Sequence, residues 1–482
     1  MLSWAGHGVD AAAAYREAAR DATPGVSLEL RRRAAEQLVS TGHLVEGEVL
    51  LREVLAEARL SWAGTTTGAV ASLLLQRARV RLRGLAFVDR EASTQNADAL
   101  ARIDVCWSAV VSLSMVDTVR GADYQARNLR LALDAGEPYR VCRALAWESA
   151  MESAIGDSPR AERLGKAAMQ LASRLGSIQL RALVKACGAT AAYLTGRWSE
   201  VRRLIGEVVT MSEQEWSDEA RYELDNGTML ANAALAYMGD VVTFYRERPA
   251  LLAEARERRN VHVLTNLLSG MNVIHLLARG QHAQVVAELD ESIGYWSPDR
   301  VHIPHFVDLY GRVQAALFVG DGERALALVD ALAPRLGASF LLHGPYFRIN
   351  VRDLAGRASL CAAAAASGKK REALLRRAAR DASALAKGPL SHWAGPLADA
   401  IAAGVAMLRD DRVTAEARLS LAAERFAAAA MGLHAAAARR SLGRLRGDDS
   451  LVASATEWMR AQTVTHFDEV GAILVPGSAR SP

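Results

Sequence analysis

The residues of this 482-residue chain that could do chemistry are few, and their spacing limits what they can do. A phosphate-binding loop needs GxxxxGK[ST] between a strand and a helix, so that backbone amides and the lysine converge on the phosphates. Gly165-Lys166 is preceded by Arg160 and followed by Ala167, and Gly368-Lys369 has Ala363 where the first glycine belongs, so both pairs read as helix or turn. Histidines are densest at His262, His275, His282, His302 and His305. The pair His302-Ile303-Pro304-His305 has a spacing that two metal ligands use. Zinc wants four ligands with supporting groups, and neither a cysteine pair nor HExxH accompanies it. Pro304 also places the pair at a helix start rather than on one helical face. Neither a metal nor a cofactor is expected, and no catalytic residue is assigned.

The four cysteines, Cys106, Cys142, Cys187 and Cys361, stand far apart in apolar stretches without CxxC spacing, as buried thiols of a reducing compartment do. The row Arg77, Arg79, Arg81 and Arg83 spreads over more than half of a helix circumference and reads as a solvated face. Asp104, Asp117 and Asp123 are placed to cap helices or to pair with Arg102, Arg120 and Arg127, without a carboxylate pair suited to acid–base catalysis.

One concentration of side chains is suited to binding. Between positions 295 and 348, in and around the irregular pieces SPDRVHIPH and GASFLLHGPYFR, stand Tyr295, Trp296, His302, His305, Tyr310, His343, Tyr346, Phe347 and Arg348. Aromatic and arginine side chains on loops over a helical surface are the usual ingredients of a peptide or small-ligand groove. The alternative is that the aromatics plug a seam where the regular spacing of the chain is stretched.

The elements that must position these residues are helices. Hydrophobic residues, led by Ala and Leu, make up 51% of the chain against 12 prolines, and strand-favouring residues are sparse. The 58 basic and 54 acidic residues alternate along the chain, for a net charge of +4. Such balance is a solvated helical surface and disfavours a nucleic-acid footprint. No run of 18 apolar residues is free of charge and the start lacks a signal peptide's pattern, so a cytoplasmic protein that does not enter a membrane is expected.

A helical pattern repeatedly ends at a glycine followed by a polar residue, and a second helix starts at once. The clear copies are at Gly42, Gly156, Gly196, Gly239, Gly280, Gly320 and Gly368, with a related turn at Asp410-Asp411 and weaker candidates at Gly84 and Gly121. The period is about 40 residues and stretches to 48 between Gly320 and Gly368. A hairpin of this size cannot bury its apolar face alone and must stack on neighbours. The expected fold is therefore all-α, an α-solenoid superhelix of about ten degenerate tetratricopeptide-like hairpins, with Ala-rich first helices that allow close backbone approach. Its divisions are a partial first repeat over 1–24, repeats over 25–294, the seam over 295–348, C-terminal repeats over 349–447, capping helices over 448–475 and a disordered tail over 476–482. The start at half a hairpin suggests a natural chain that continues upstream of Met1.

The segments 28–55, 76–87, 100–148 and 194–204 resemble the C-terminal helical-repeat region of large bacterial serine/threonine protein kinases that also carry an AAA-type ATPase module. The block 100–148, LARIDVCWSAVVSLSMVDTVRGADYQARNLRLALDAGEPYRVCRALAWE, carries the most specific part of that resemblance. It implies a bacterial, non-catalytic scaffold or sensor for signal transduction, which binds a protein partner or small effector and regulates kinase and ATPase domains upstream or on another chain. The kinase catalytic loop, the Asp-Phe-Gly motif and the Gly-rich loop are missing from this sequence, so no upstream chemistry carries over. Two other readings stand beside it: the C-terminal fragment of an active kinase with an ATPase module, and the repeat region of a transcriptional activator.

Overall fold

Ala, Leu and Arg lose little side-chain freedom in a helix, and a chain built from them with few prolines forms helices throughout. A computed structural model describes residues 8–114, 116–156, 158–214, 221–298 and 300–477, and over those residues the regular structure is helical. In chain order the helices are α1 (Gly8–Ala18), α2 (Pro24–Ser40), α3 (Leu44–Glu57), α4 (Thr66–Arg83), α5 (Ala97–Leu113), α6 (Thr118–Ala135), α7 (Pro138–Ile155), α8 (Ser158–Arg174), α9 (Ile178–Leu194), α10 (Trp198–Gln214), α11 (Arg221–Met238) and α12 (Val241–Glu257). They continue as α13 (Val261–Leu268), α14 (Val273–Ala278), α15 (His282–Gly294), α16 (Ile303–Phe318), α17 (Gly322–Ala338), α18 (Pro345–Ala365), α19 (Gly368–Lys387), α20 (Ser391–Leu408), α21 (Arg412–Ala428), α22 (Gly432–Arg446), α23 (Asp449–Ala461) and α24 (Phe467–Leu474). Sequential helices pack as hairpins, and the fold is an α-solenoid helical repeat.

The glycine turns form as the sequence leads one to expect. Gly42, Gly156, Gly196, Gly239, Gly280, Gly320 and Gly368 all take positive φ; the first six stand between the two helices of a hairpin, and Gly368 opens α19. The polar residue that follows caps the second helix in several copies. Asp240 accepts from the Thr243 amide at 2.9 Å, Asp321 from Arg324 at 2.9 Å and Asp411 from Thr414 at 3.1 Å. These bonds satisfy amides that the first helical turn leaves unpaired.

Two of the weaker turns differ. Gly121 lies inside α6, its absent Cβ leaving room for the Ser114 backbone, and α6 is capped instead by Asp117. Gly84 ends α4 at φ +73°, but an extended stretch follows rather than a helix. The connections from one hairpin to the next use a left-handed glycine in some copies, as at Gly136 and Gly176, and other residues in the rest. They place Arg59, Arg259, Phe340, Leu390, Ala430 and Thr463 in the left-handed region, which costs a non-glycine residue roughly 1 kcal/mol and is held there by the packing of the helices on either side.

The chain divides into two compact units. Unit 1 comprises 1–191, 203–228 and 251–264, and unit 2 comprises 192–202, 229–250 and 265–482. In unit 1, one core gathers Leu38, Leu51, Val54, Leu55, Val110 and Tyr124, and a second gathers Ile103, Leu129, Leu133, Val141, Leu145 and Leu164. In unit 2 the first helices pack in order, α14 on α16, α16 on α18 and α18 on α20. They form a continuous buried layer, and the second helices α15, α17, α19 and α21 back it. The apolar run Val261–Ala278 has the length and composition of a membrane span, but 89% of it is buried inside the fold, as in a core helix.

At the start, α1 falls within the partial first repeat expected over 1–24, and residues 1–7 lie outside the described residues. At the other end, α24 lies against α22 of the last hairpin and also against α14, α16 and α18. Pro476 and Gly477, placed by the sequence in a disordered tail, rest against the backbone of Gly404, and the remainder of that tail is outside the described residues.

Gly196 combines two constraints. Its φ is +80°, and a Cβ there would come within 2.2 Å of the Trp393 indole. Gly196→Ala is expected to destabilise unit 2 by about 3 kcal/mol, the sum of left-handed strain and overpacking. Gly368→Ala, at φ +56° with nothing within 4 Å, is expected to cost only about 1 kcal/mol. Urea denaturation followed by circular dichroism checks the contrast, and equal losses would contradict it.

Candidate functional site

The seam residues do not converge on one groove. Tyr295 is 39% exposed at the end of α15 and bonds to Glu291. Trp296 turns inward, its indole N–H donating to Thr265 Oγ1 at 2.7 Å. His302 is the N-cap of α16 and His305 sits in its first turn, with the His302 amide donating to His305 Nδ1 at 3.2 Å. The pair thus serves a helix start, as Pro304 indicates. His343 is exposed and stacks on Phe340 at 4.9 Å. Arg348 donates to the carbonyls of Leu342 and His343 at 3.1 and 3.3 Å and closes the loop before α18. Phe347 packs edge-on against Phe306 at 5.0 Å.

Tyr346 and Tyr310 are placed differently. The Tyr346 hydroxyl lies 2.9 Å from the Tyr237 hydroxyl and donates to Tyr193 at 3.1 Å, and Tyr237 donates to Asn350 at 3.2 Å. Tyr237 is stacked on Trp198 with ring centroids 3.8 Å apart, and Trp393 closes the cluster edge-on to Trp198 at 5.7 Å. Contacts of this kind add roughly 1 kcal/mol each to the area they bury. The cluster fixes the first helices against one another and seals the stretched spacing with aromatic volume.

Beside this cluster a row of polar groups runs across adjacent first helices, and of its members the sequence singles out Tyr310 alone. Asn350, Asp353 and Arg357 project from α18, Tyr310 and Gln314 from α16, and all are buried. Arg357 donates to Asp353 at 2.5 Å, to the Gln314 side chain at 3.3 Å and to the main-chain carbonyl of Ile473 at 3.1 Å. Burial raises the Asp353 carboxyl above its ordinary range in spite of the Arg357 charge. His434 of α22 is buried against Phe426 at 5.1 Å, and burial together with the nearby Arg357 charge lowers its imidazole to about 3. The periodicity that could have revealed the row is the i, i+3, i+7 spacing of Asn350, Asp353 and Arg357, which puts three polar groups on one face of an otherwise Ala-rich helix.

The block 100–148 in unit 1 is held by arginine pairs. Asp117 accepts from the Arg120 amide and pairs with its guanidinium, and Asp123 pairs with Arg127 at 2.9 Å, as the spacing suggests. Asp104 pairs instead with Arg140 at 2.5 Å and Arg143 at 2.7 Å on α7. Arg77 leaves the solvated row and bonds to Glu148 and, at 2.8 Å, to Glu152. These two carboxylates, four residues apart on α7, are fully buried, and burial raises the Glu148 carboxyl. Arg160 reaches Glu152 at 3.0 Å, and the Gln125 amide donates to Glu148 at 3.2 Å. The pair is a buried ion cluster between helices. Among the described residues no group of three or more His, Cys, Asp or Glu side chains is arranged to hold a metal.

Fold and buried polar face together define a helical-repeat protein of the α-solenoid class. Neither a scan against models of known protein families nor a search of curated proteins finds a match to the chain.

His275, on α14, is fully buried and stacked on Phe244 at 4.1 Å, and neither ring nitrogen has a hydrogen-bond partner among the described residues. Burial, with the neighbouring Arg248 charge, lowers its imidazole from 6.5 to about 3. The unfolded chain therefore takes up this proton first as pH falls. The stability of the neutral form is complete above about pH 6.5 and is lost toward pH 3, at ~1.4 kcal/mol per pH unit. Between pH 6.5 and 4.5, His275→Phe should lose about 3 kcal/mol less stability than the native chain. Urea midpoints across that range check this, and parallel acid limbs would contradict it.

Proposed function

We propose that this chain is a non-catalytic, cytoplasmic helical-repeat scaffold or sensor of a signalling system, which takes a protein segment on the first-helix face of unit 2 and so regulates a linked serine/threonine kinase and ATPase. The observation that carries the binding part is the buried polar row of Tyr310, Gln314, Asn350, Asp353 and Arg357. A face needed only for stability is served as well by aliphatic side chains, since a buried ion pair often contributes less than the apolar residues that could replace it. Groups that donate to and accept from a main chain, set in an apolar wall, are what a face needs to receive a peptide. Arg357 already receives one main-chain carbonyl, that of Ile473. The link to a kinase and an ATPase rests on the resemblance of the block 100–148, and the cytoplasmic assignment on four cysteines that are all free.

Peptide display against the full chain tests the binding part. Enrichment of short segments whose binding weakens at least tenfold in a Gln314→Ala/Asn350→Ala chain is expected. Enrichment indifferent to those substitutions would move the site elsewhere, and no enrichment on any form of the chain would contradict the scaffold reading.

A further inference from the structure

We infer that residues 463–477 are a displaceable internal occupant of the first-helix face, and that the partner they stand in for is a short helical segment with an acidic first turn and an aliphatic last turn. The inference rests on the binding role proposed above and names both its regulation and the chemistry of its ligand.

The path of the segment is the first observation. After α23 the chain turns at Thr463, in the left-handed region at φ +61°, and runs back across earlier hairpins instead of extending the stack. The Arg279 guanidinium donates to Thr463 Oγ1 at 2.7 Å, and the Thr465 and His466 amides donate to the Ala278 carbonyl at 2.9 and 3.3 Å. The His466 ring fills the space over Gly280, where a Cβ would come within 2.2 Å of it. α24 then lies against α14, α16, α18 and α22. The segment ends on α20, where the Pro476 carbonyl occupies the position that a Cβ at Gly404 would approach to 2.3 Å. One stretch of extended chain and short helix therefore touches every first helix from α14 to α22.

The contacts it makes define a ligand. In the first turn Asp468 pairs with Arg440 and, at 2.6 Å, with Arg444, and the Phe467 ring receives the Arg440 and Arg460 guanidinium groups at 5.8 and 5.9 Å. Two arginines on α22 thus select an acidic start, which the helix dipole also favours. Further along, Val470, Ile473 and Leu474 of the helix and Val475 just past it are buried, and the Ile473 carbonyl is received by Arg357. The carbonyls at the end of a helix have no partner of their own, and Arg357 supplies one here. Acid-binding arginines at one end, apolar wall along the middle and a carbonyl-binding arginine at the other end form one continuous address.

The segment is also built to leave. An eight-residue helix is far too short to be stable alone, so its structure is borrowed from the face. The turn at Thr463 tethers it to α23. Tethering of this kind gives an effective concentration on the order of millimolar. A partner with the same pattern must compete against that concentration, and its apparent affinity is reduced by the ratio of the two. Loss of the Asp468 contacts, or a partner that makes them better, shifts the balance.

The test uses the full chain and a fluorescein-labelled peptide copying residues 463–477, followed by anisotropy, in the native protein and in Asp468→Arg, which repels Arg440 and Arg444. The peptide is expected to bind Asp468→Arg at least tenfold more tightly than the native chain. An Asp468→Arg version of the peptide should bind neither. Hydrogen exchange on the native protein is read alongside and does not depend on the variant folding: amides of 468–475 should exchange at least a hundredfold faster than those of α18. Exchange as slow as that of α18 makes the segment a permanent core element and overturns the inference. Display peptides that bind native and Asp468→Arg chains equally overturn self-occupancy but leave the scaffold reading standing. Failure of every peptide to bind Asp468→Arg, with its helix content intact, overturns both.

Discussion

A buried guanidinium sets the terms for much of unit 2. Arg357 is 2% exposed at the middle of a first helix, and a charge taken out of water costs several kcal/mol unless it is paired and its remaining donors are satisfied. Asp353 supplies the pair, Gln314 an acceptor from the neighbouring hairpin and Ile473 a carbonyl from the end of the chain. Each partner sits on a different element or turn, so satisfying one side chain fixes α16, α18 and the C-terminal segment together. Apolar contacts alone are non-directional and would tolerate sliding of one hairpin on the next. The polar row sets the register of the face.

Unit 1 uses the same physics with carboxylates at the centre. Glu148 and Glu152 are buried on α7 and are reached by Arg77 from α4 and Arg160 from α8. Trp62 is held between the guanidinium groups of Arg52 and Arg120 at 4.7 and 5.0 Å. The large share of arginine among the basic residues, only five of which are lysine, suits this role. Arginine makes forked bonds and stacks on aromatic rings, and it sheds water more readily than lysine does.

The hairpins were legible because their internal turns use a left-handed glycine, followed at Asp240 and Asp321 by a capping aspartate, a local requirement that leaves a local mark. The connections between hairpins were not, since Arg59, Phe340, Leu390 and Ala430 are held left-handed by packing that no neighbouring residue announces. Aromatic side chains drew attention to the stretch 295–348. Of these, Tyr310 and Tyr346 do reach the first-helix face, while Trp296, Phe347 and His305 serve the seam itself. Asn350, Asp353, Arg357 and His434 leave no such mark, because polar residues in a helix are ordinarily solvated and their burial follows only from long-range contact. The return of α24 across the stack is equally non-local: its sequence is that of any short amphipathic helix, and its acceptors lie as far back as Ala278.

The buried charge of α18 and the C-terminal segment hold one another in place. Hydrogen exchange of amides 470–475 in an Asp353→Leu/Arg357→Met chain tests it most directly, because the ion pair is replaced by apolar groups of similar volume without leaving an unpaired charge. Exchange at least tenfold faster in this segment than in the native protein is expected, with the amides of α19 unchanged. Equal rates in the two proteins would contradict it.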